Sequence, residues 1–150
     1  MANIFDVADW FLSKEAMTHK KVQKLTYYYK AWGWALYEKD MLPGYDFQAW
    51  IHGPVSPELY QKYKGNYWKD LPKKPDNSGL FDEKELSLLS SVWETYGDMS
   101  ANALEVQTHL EEPWKKARAG LPESMACETI ISWEDMKNYY QSVYSGDQSD

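Results

Sequence analysis

The sequence predicts a mainly α fold: a compact single-domain bundle of about six to eight helices with at most a small β element. Three observations lead there. Apolar residues recur at three- and four-residue steps through most of the chain. No βαβ alternation and no strand-rich region appears. The 150 residues, 43% hydrophobic and 16% aromatic, suffice for one core but not for two.

The elements follow in order. Asn3 to Ser13 reads as a helix with Asn3 as N-cap and Ile4, Phe5, Val7, Ala8, Phe11 and Leu12 on a broad apolar face. Lys14 to Met17 reads as a polar connection. Thr18 then caps a long helix to about Lys39. Its inward stripe is Val22, Leu25, Tyr29, Trp32 and Leu36, which leaves Lys20, Lys21, Gln23, Lys24 and Tyr28 to solvated faces. Gly33 in mid-helix suits a close helix crossing. Met41 to Asp46 is a Pro-Gly turn, and Phe47 to Ile51 a short extended lead-in.

His52-Gly53-Pro54 forms a sharp corner that holds one imidazole. Ser56 caps a helix from Pro57 to Lys64. Residues 65–79 carry no period, and Leu71 to Gly79 reads as an exposed loop. Asp82 to Glu85 opens a helix with acids at its positive end. Leu86, Leu89, Val92, Trp93 and Tyr96 are its expected inner face and Gly97 its stop. Ser100 caps Ala101 to His109, with Ala101, Leu104 and Val106 inward. Glu111-Glu112-Pro113-Trp114 opens a short helix to Ala119, acids first and bases last. Glu128 to Ser132 is a candidate strand. The last helix reads Met136, Tyr139, Tyr140, Val143 and Tyr144 inward, ahead of a polar tail at 146–150.

Charge and composition narrow the function. Net charge is −7. Residues 1–75 hold 11 Lys against 8 acids, and residues 76–150 hold 15 acids against 4 Lys and 1 Arg. This argues against nucleic-acid binding, which calls for a clustered basic excess. One cysteine fits a reducing cytoplasm. No long apolar run and no signal-like start occur, so no membrane role is expected.

No zinc spacing, phosphate-cradling Gly-rich loop or convincing nucleophile–base pair occurs. Cys127 stands beside Glu128, which would raise its thiol pKa. The expectation is a non-enzymatic interaction protein with no cofactor and no metal.

Four stretches in register carry more. They are Lys21-Val-Gln-Lys-Leu-Thr-Tyr-Tyr28, Phe47-Gln-Ala-Trp-Ile-His-Gly-Pro-Val55, Tyr96-Gly97 with Ser100-Ala101, and Thr108-His-Leu-Glu-Glu-Pro-Trp114. Together they resemble the Panacea domain, the SocA-like antitoxin family that includes phage-associated GepA-like proteins. The likeness is strongest over residues 5–118, within a domain set at 1–145. The matching positions are Lys21, Gln23, Lys24, Trp50, His52, Gly53, Pro54, Val55, Thr108, His109, Pro113 and Trp114, read as shared scaffold, with His52 and His109 satisfying buried polar groups. The resemblance implies an all-α cytoplasmic antitoxin of a toxin–antitoxin system that binds a cognate protein toxin. It implies, as the alternative, a proteolytic adaptor that delivers its client to protease machinery, or a phage accessory protein. Partner-binding candidates are Tyr67, Trp68, Trp133, Tyr139, Tyr140 and Tyr144.

Overall fold

A computed structural model describes residues 2–65 and 69–149. Asn3 opens α1 (Ile4–Leu12) with a reciprocal capping box: its side chain accepts from the Asp6 N–H, and the Asp6 carboxylate accepts from the Asn3 N–H. The connection that follows is not all irregular. Its end forms β1 (Met17–Thr18), which pairs antiparallel with Asp70–Leu71. A two-residue strand has no period to detect, and its partner lies more than fifty residues away.

Thr18 caps α2 (His19–Tyr37) by accepting from the Lys21 N–H. The expectation of solvated faces on this helix is overturned. Every residue from Lys21 to Ala31 is buried, Lys21, Gln23, Lys24, Tyr28 and Lys30 included. Leu36, assigned inward, is 38% exposed. Helix α2 runs through the middle of the fold rather than along its surface, so hydropathy period does not set its burial. Gly33 marks a close approach: a Cβ there would collide with the Met41 side chain and sit 3.4 Å from Leu88.

The lead-in after the Pro-Gly turn is β2 (Gln48–Trp50), and the corner is a hairpin. A two-residue turn, Ile51–His52, returns the chain into β3 (Gly53–Val55), with Gln48 opposite Val55 and Trp50 opposite Gly53. Ser56 caps α3 (Pro57–Tyr63), as expected. β4 is the Asp70–Leu71 strand, and a 3₁₀ turn covers Ser78–Leu80.

Asp82 caps α4 (Glu83–Tyr96) through a second capping box, with Glu85. Its buried face is Glu85, Leu88, Leu89, Val92 and Tyr96, so Leu86 and Trp93 are only half-buried. The box turns Glu85 inward, and Leu88 meets Gly33. Ser100 caps α5 (Ala101–Leu110), which buries Leu104 and Thr108 but leaves Val106 60% exposed. α6 (Glu112–Arg118) follows.

Residues 128–132 form no regular strand, yet they lie along β2: Gln48 bridges Ile130, and backbone hydrogen bonds flank that bridge. Last is α7 (Trp133–Ser149), which continues helical into the expected polar tail. Helices α1, α3, α4, α5 and α7 all pack on α2, with β1 and β3 completing the sheath. Among the described residues no helix is long and apolar enough to cross a membrane.

A buried carboxylate ties three helices together. Glu111, between α5 and α6, accepts from the Tyr28 and Tyr140 hydroxyls at 2.8 Å each and from Gln107 at 3.0 Å. Tyr27 lies 3.1 Å from the Tyr140 hydroxyl, and Tyr28 stacks on Tyr96 at 3.9 Å. Burial pushes the Glu111 carboxyl above its usual range, against those three hydrogen bonds. Removing it strands the Tyr28 hydroxyl in the core and leaves Tyr140 only its contact with Tyr27. Glu111→Ala is expected to cost roughly 3 kcal/mol in urea unfolding; an unchanged midpoint would contradict the network's role.

Candidate functional site

The matching positions converge on the hairpin. From α2, Gln23 accepts from the Ser56 N–H at 2.8 Å and donates to the Ser56 carbonyl at 3.2 Å. From the next residue of α2, the Lys24 ammonium donates to the Pro54 carbonyl at 3.1 Å. These two side chains act as a surrogate strand along the free edge of β3. Gly53 sits beneath them at φ +107°, a backbone that favours glycine. A Cβ there would meet Lys24 Cε at 2.7 Å and Thr108 Oγ1 at 2.9 Å. So α2, the hairpin and α5 touch at one residue that can carry no side chain.

The other side of the hairpin is held from α6. Trp114 donates its indole N–H to the Trp50 carbonyl at 2.8 Å, and His109 stacks on Trp114 at 3.9 Å. Pro113, Pro54 and Val55 are buried beside them. Lys21 serves a different loop, donating to the Gly97 carbonyl at 2.6 Å and to Glu15 at 3.3 Å. Most of the matching positions therefore meet in one clamp.

His52 departs from it. Its side chain is 71% exposed and satisfies no buried group; its Nδ1 lies 3.1 Å from Glu105. The two-residue turn projects this imidazole outward. Glu105 also pairs with Lys20. Burial pushes the Glu105 carboxyl up, but Lys20 and the neighbouring imidazoles outweigh it and hold it below its usual value.

Two residues that the sequence reading missed complete the clamp. Glu105 links α5 to α2 and to the hairpin turn. Arg118, the chain's sole arginine, is buried and donates to the carbonyls of Ala49 at 2.8 Å, Pro122 at 2.8 Å and Met125. The only local signal was an arginine in the last turn of a short helix, which the helix dipole explains equally well.

A cleft of about 900 Å³ opens beside the clamp. Trp50, Ile51, Val55 and Tyr60 give it an apolar wall, Lys20 and Lys24 a cationic one, and Ala126 to Glu128 close its rim. Burial drives His19 down to about 4, aided by Lys24. Burial likewise lowers Lys24 to about 7, with Lys20 acting in the same sense and Glu105 against it. At Cys127, burial pushes the thiol up, but hydrogen bonding to Thr129 and the Arg118 charge outweigh burial and Glu128 together. Its net shift is downward, the reverse of what Glu128 alone would give. The thiol engages Thr129 rather than an imidazole. Among the described residues no three His, Cys, Asp or Glu side chains gather as a metal site would require.

The aromatic candidates fall into three groups. Tyr67 and Trp68 lie outside the described residues. Tyr140 is core, 1% exposed and bonded to Glu111, and so is not available at the surface. Trp133 and Tyr144 are 46% and 47% exposed, Tyr139 is half-buried, and Trp133 stacks on Trp34 at 4.7 Å.

Two outcomes test the clamp. Gly53→Ala is expected to destabilise by roughly 3 kcal/mol through left-handed strain and overpacking; a melting temperature equal to wild type would refute the three-way contact. Lys24 gives a pH signature. Between about pH 7 and 10 the unfolded chain holds a proton that the folded chain releases, so this lysine adds stability as pH rises through that window. From pH 7 to 9 the wild type should gain on Lys24→Met by up to ~1.4 kcal/mol per pH unit in urea unfolding; parallel profiles would contradict a lysine that burial deprotonates in the folded chain.

A family model described as the SocA-like antitoxin, Panacea domain, matches residues 22–115. No curated protein and no solved structure matches the chain. The matched range opens within α2 and closes just past Trp114, so it spans the clamp from Gln23 to that indole. The chain belongs to the SocA-like antitoxin family, defined by the Panacea domain.

Proposed function

We propose that this chain is the antitoxin of a toxin–antitoxin pair and neutralises a protein toxin by direct binding in the cytoplasm, without catalysis and without a cofactor. The observation that carries this reading is the family match across residues 22–115. The chemistry of the matched positions supports it. Lys24, Gln23, Gly53 and Trp114 spend their polar and steric capacity on one another and on the hairpin, which builds a scaffold rather than a reaction centre. Partner recognition then falls to side chains outside the clamp, where acids and exposed apolar groups predominate. The uneven charge, 15 acids against 5 bases after residue 75, favours a basic partner and would speed its approach.

The test is co-expression with the product of the neighbouring reading frame. Growth arrest by that product alone, relief on co-expression and co-purification of the two chains are the expected results. The toxin's cellular level should stay constant while its activity falls. A fall in toxin level that requires a protease would instead assign the adaptor role, and an absence of both relief and binding would overturn the antitoxin reading.

A further inference from the structure

The 128–132 segment carries an open sheet edge. The Ala49 N–H donates to the Thr129 carbonyl at 2.9 Å, and the Ile131 N–H donates to the Phe47 carbonyl at 2.8 Å. Gln48 and Ile130 face each other between these bonds as a non-hydrogen-bonded antiparallel pair. Backbone groups alternate in direction along an extended chain, so Thr129 and Ile131 turn theirs toward β2, and Glu128 and Ile130 turn theirs away. The other side of β2 is taken by β3. The far side of β3 is capped by Lys24 and Gln23. The Ile130 side is capped by nothing: among the described residues no hydrogen bond reaches its N–H or C=O.

This edge lacks the usual protections. Glu128, Thr129 and Ile130 are all exposed, and Ile130 keeps 52% of its surface in contact with solvent. Edge strands are commonly blunted by lysine, proline or a bulge. Residues 128–132 carry no lysine and no proline, and residues 119–136 hold Glu123, Glu128, Glu134 and Asp135 with no Lys or Arg. Lys116 from α6 reaches Asp135 at 3.9 Å and His109 lies 3.8 Å from Glu123, which leaves Glu128 and Glu134 without an ion pair among the described residues. Met125 and Trp133, at 51% and 46% exposure, add apolar surface on either side in sequence. The rim of the large cleft ends at Glu128, where the edge begins. The edge also lies outside the family-matched residues 22–115.

We propose that this edge receives an extended, basic segment of the partner protein as an added strand. The backbone groups of Ile130 supply the hydrogen bonds, which read no sequence. Glu128 and Glu134 select for lysine and arginine, and Trp133 and Met125 offer apolar seats. The proposal rests on the antitoxin reading for the identity of the partner, and on the geometry of the edge for how that partner docks.

The test needs no identified toxin. The full chain is titrated with a synthetic peptide of alternating lysine and valine, and with its glutamate–valine counterpart, while amide exchange is followed by NMR. The basic peptide is expected to slow exchange at Ile130, and the acidic one is not. Ile130→Pro removes only the outward N–H, a change that an edge position tolerates, and should weaken peptide binding about tenfold. Ile130→Thr keeps the N–H and should bind within about twofold of wild type. Equal binding by Ile130→Pro, or no protection at Ile130, would overturn the proposal. A peptide-free dimer that Ile130→Pro dissociates would assign the edge to a second copy and overturn it equally. The two readings also fail separately. If Ile130→Pro relieves toxicity as well as wild type does, the antitoxin stands and the edge falls. If wild type relieves none, the antitoxin falls and the peptide result decides the edge on its own.

Discussion

Helix α2 has no solvent-facing side between Lys21 and Ala31, so each polar group it carries must find a partner inside the protein or go without. Six of them find one, on five different pieces of chain, Tyr27 meeting the Tyr140 hydroxyl of α7. Lys21 holds the turn after α4, Gln23 and Lys24 hold the hairpin, Tyr28 reaches the α5–α6 junction, and Lys30 binds the carbonyls of Leu42 and Tyr45 together with Asp40. The hydroxyls of Thr26 and Tyr29 have no partner among the described residues. A lysine suits this role because its long stem packs with the core while its ammonium reaches a distant carbonyl. At Lys21 and Lys30, charge-assisted hydrogen bonds contribute about 1.5–3 kcal/mol each, and leaving such a donor unpaired costs more. The helix thus fixes the irregular parts of the fold as well as its helices.

The hairpin shows how that constraint reaches function. A three-residue strand pair is too short to stand alone. It persists because α2 caps one edge, Trp114 and Arg118 grip its backbone, and Gly53 lets Lys24 and Thr108 close over it. Holding it there positions the exposed turn at His52, the cleft beside it and the 128–132 segment along β2. The clamp lies within the family-matched residues and the edge outside them, so a change at the edge need not disturb the residues that hold the fold.

Local chemistry was legible in the sequence. Asn3, Thr18, Ser56 and Ser100 cap the helices assigned to them because a cap depends on residues three positions apart. Gly53-Pro54 announced a corner for the same reason. What stayed hidden was non-local. Hydropathy reads Lys24 as solvated, since the carbonyl it serves lies thirty residues on. Glu111 looked like a first-turn acid at a helix dipole, and nothing near it signalled Tyr28 and Tyr140. Val106 was assigned inward by spacing, yet the short α5 turns only Leu104 and Thr108 to the core. The Met17–Leu71 pairing had no periodic signal at all.

The central claim is that α2 and the hairpin form one cooperative unit, joined by buried side chains rather than by sheet alone. Native-state hydrogen exchange addresses it directly, because the Ser56 amide is held by the Gln23 side chain and not by a strand. If the claim holds, Ser56 exchanges only by global unfolding, with the same free energy as the amides of Leu25 to Ala31 in α2. Exchange at Ser56 that is orders of magnitude faster than in α2 would contradict it.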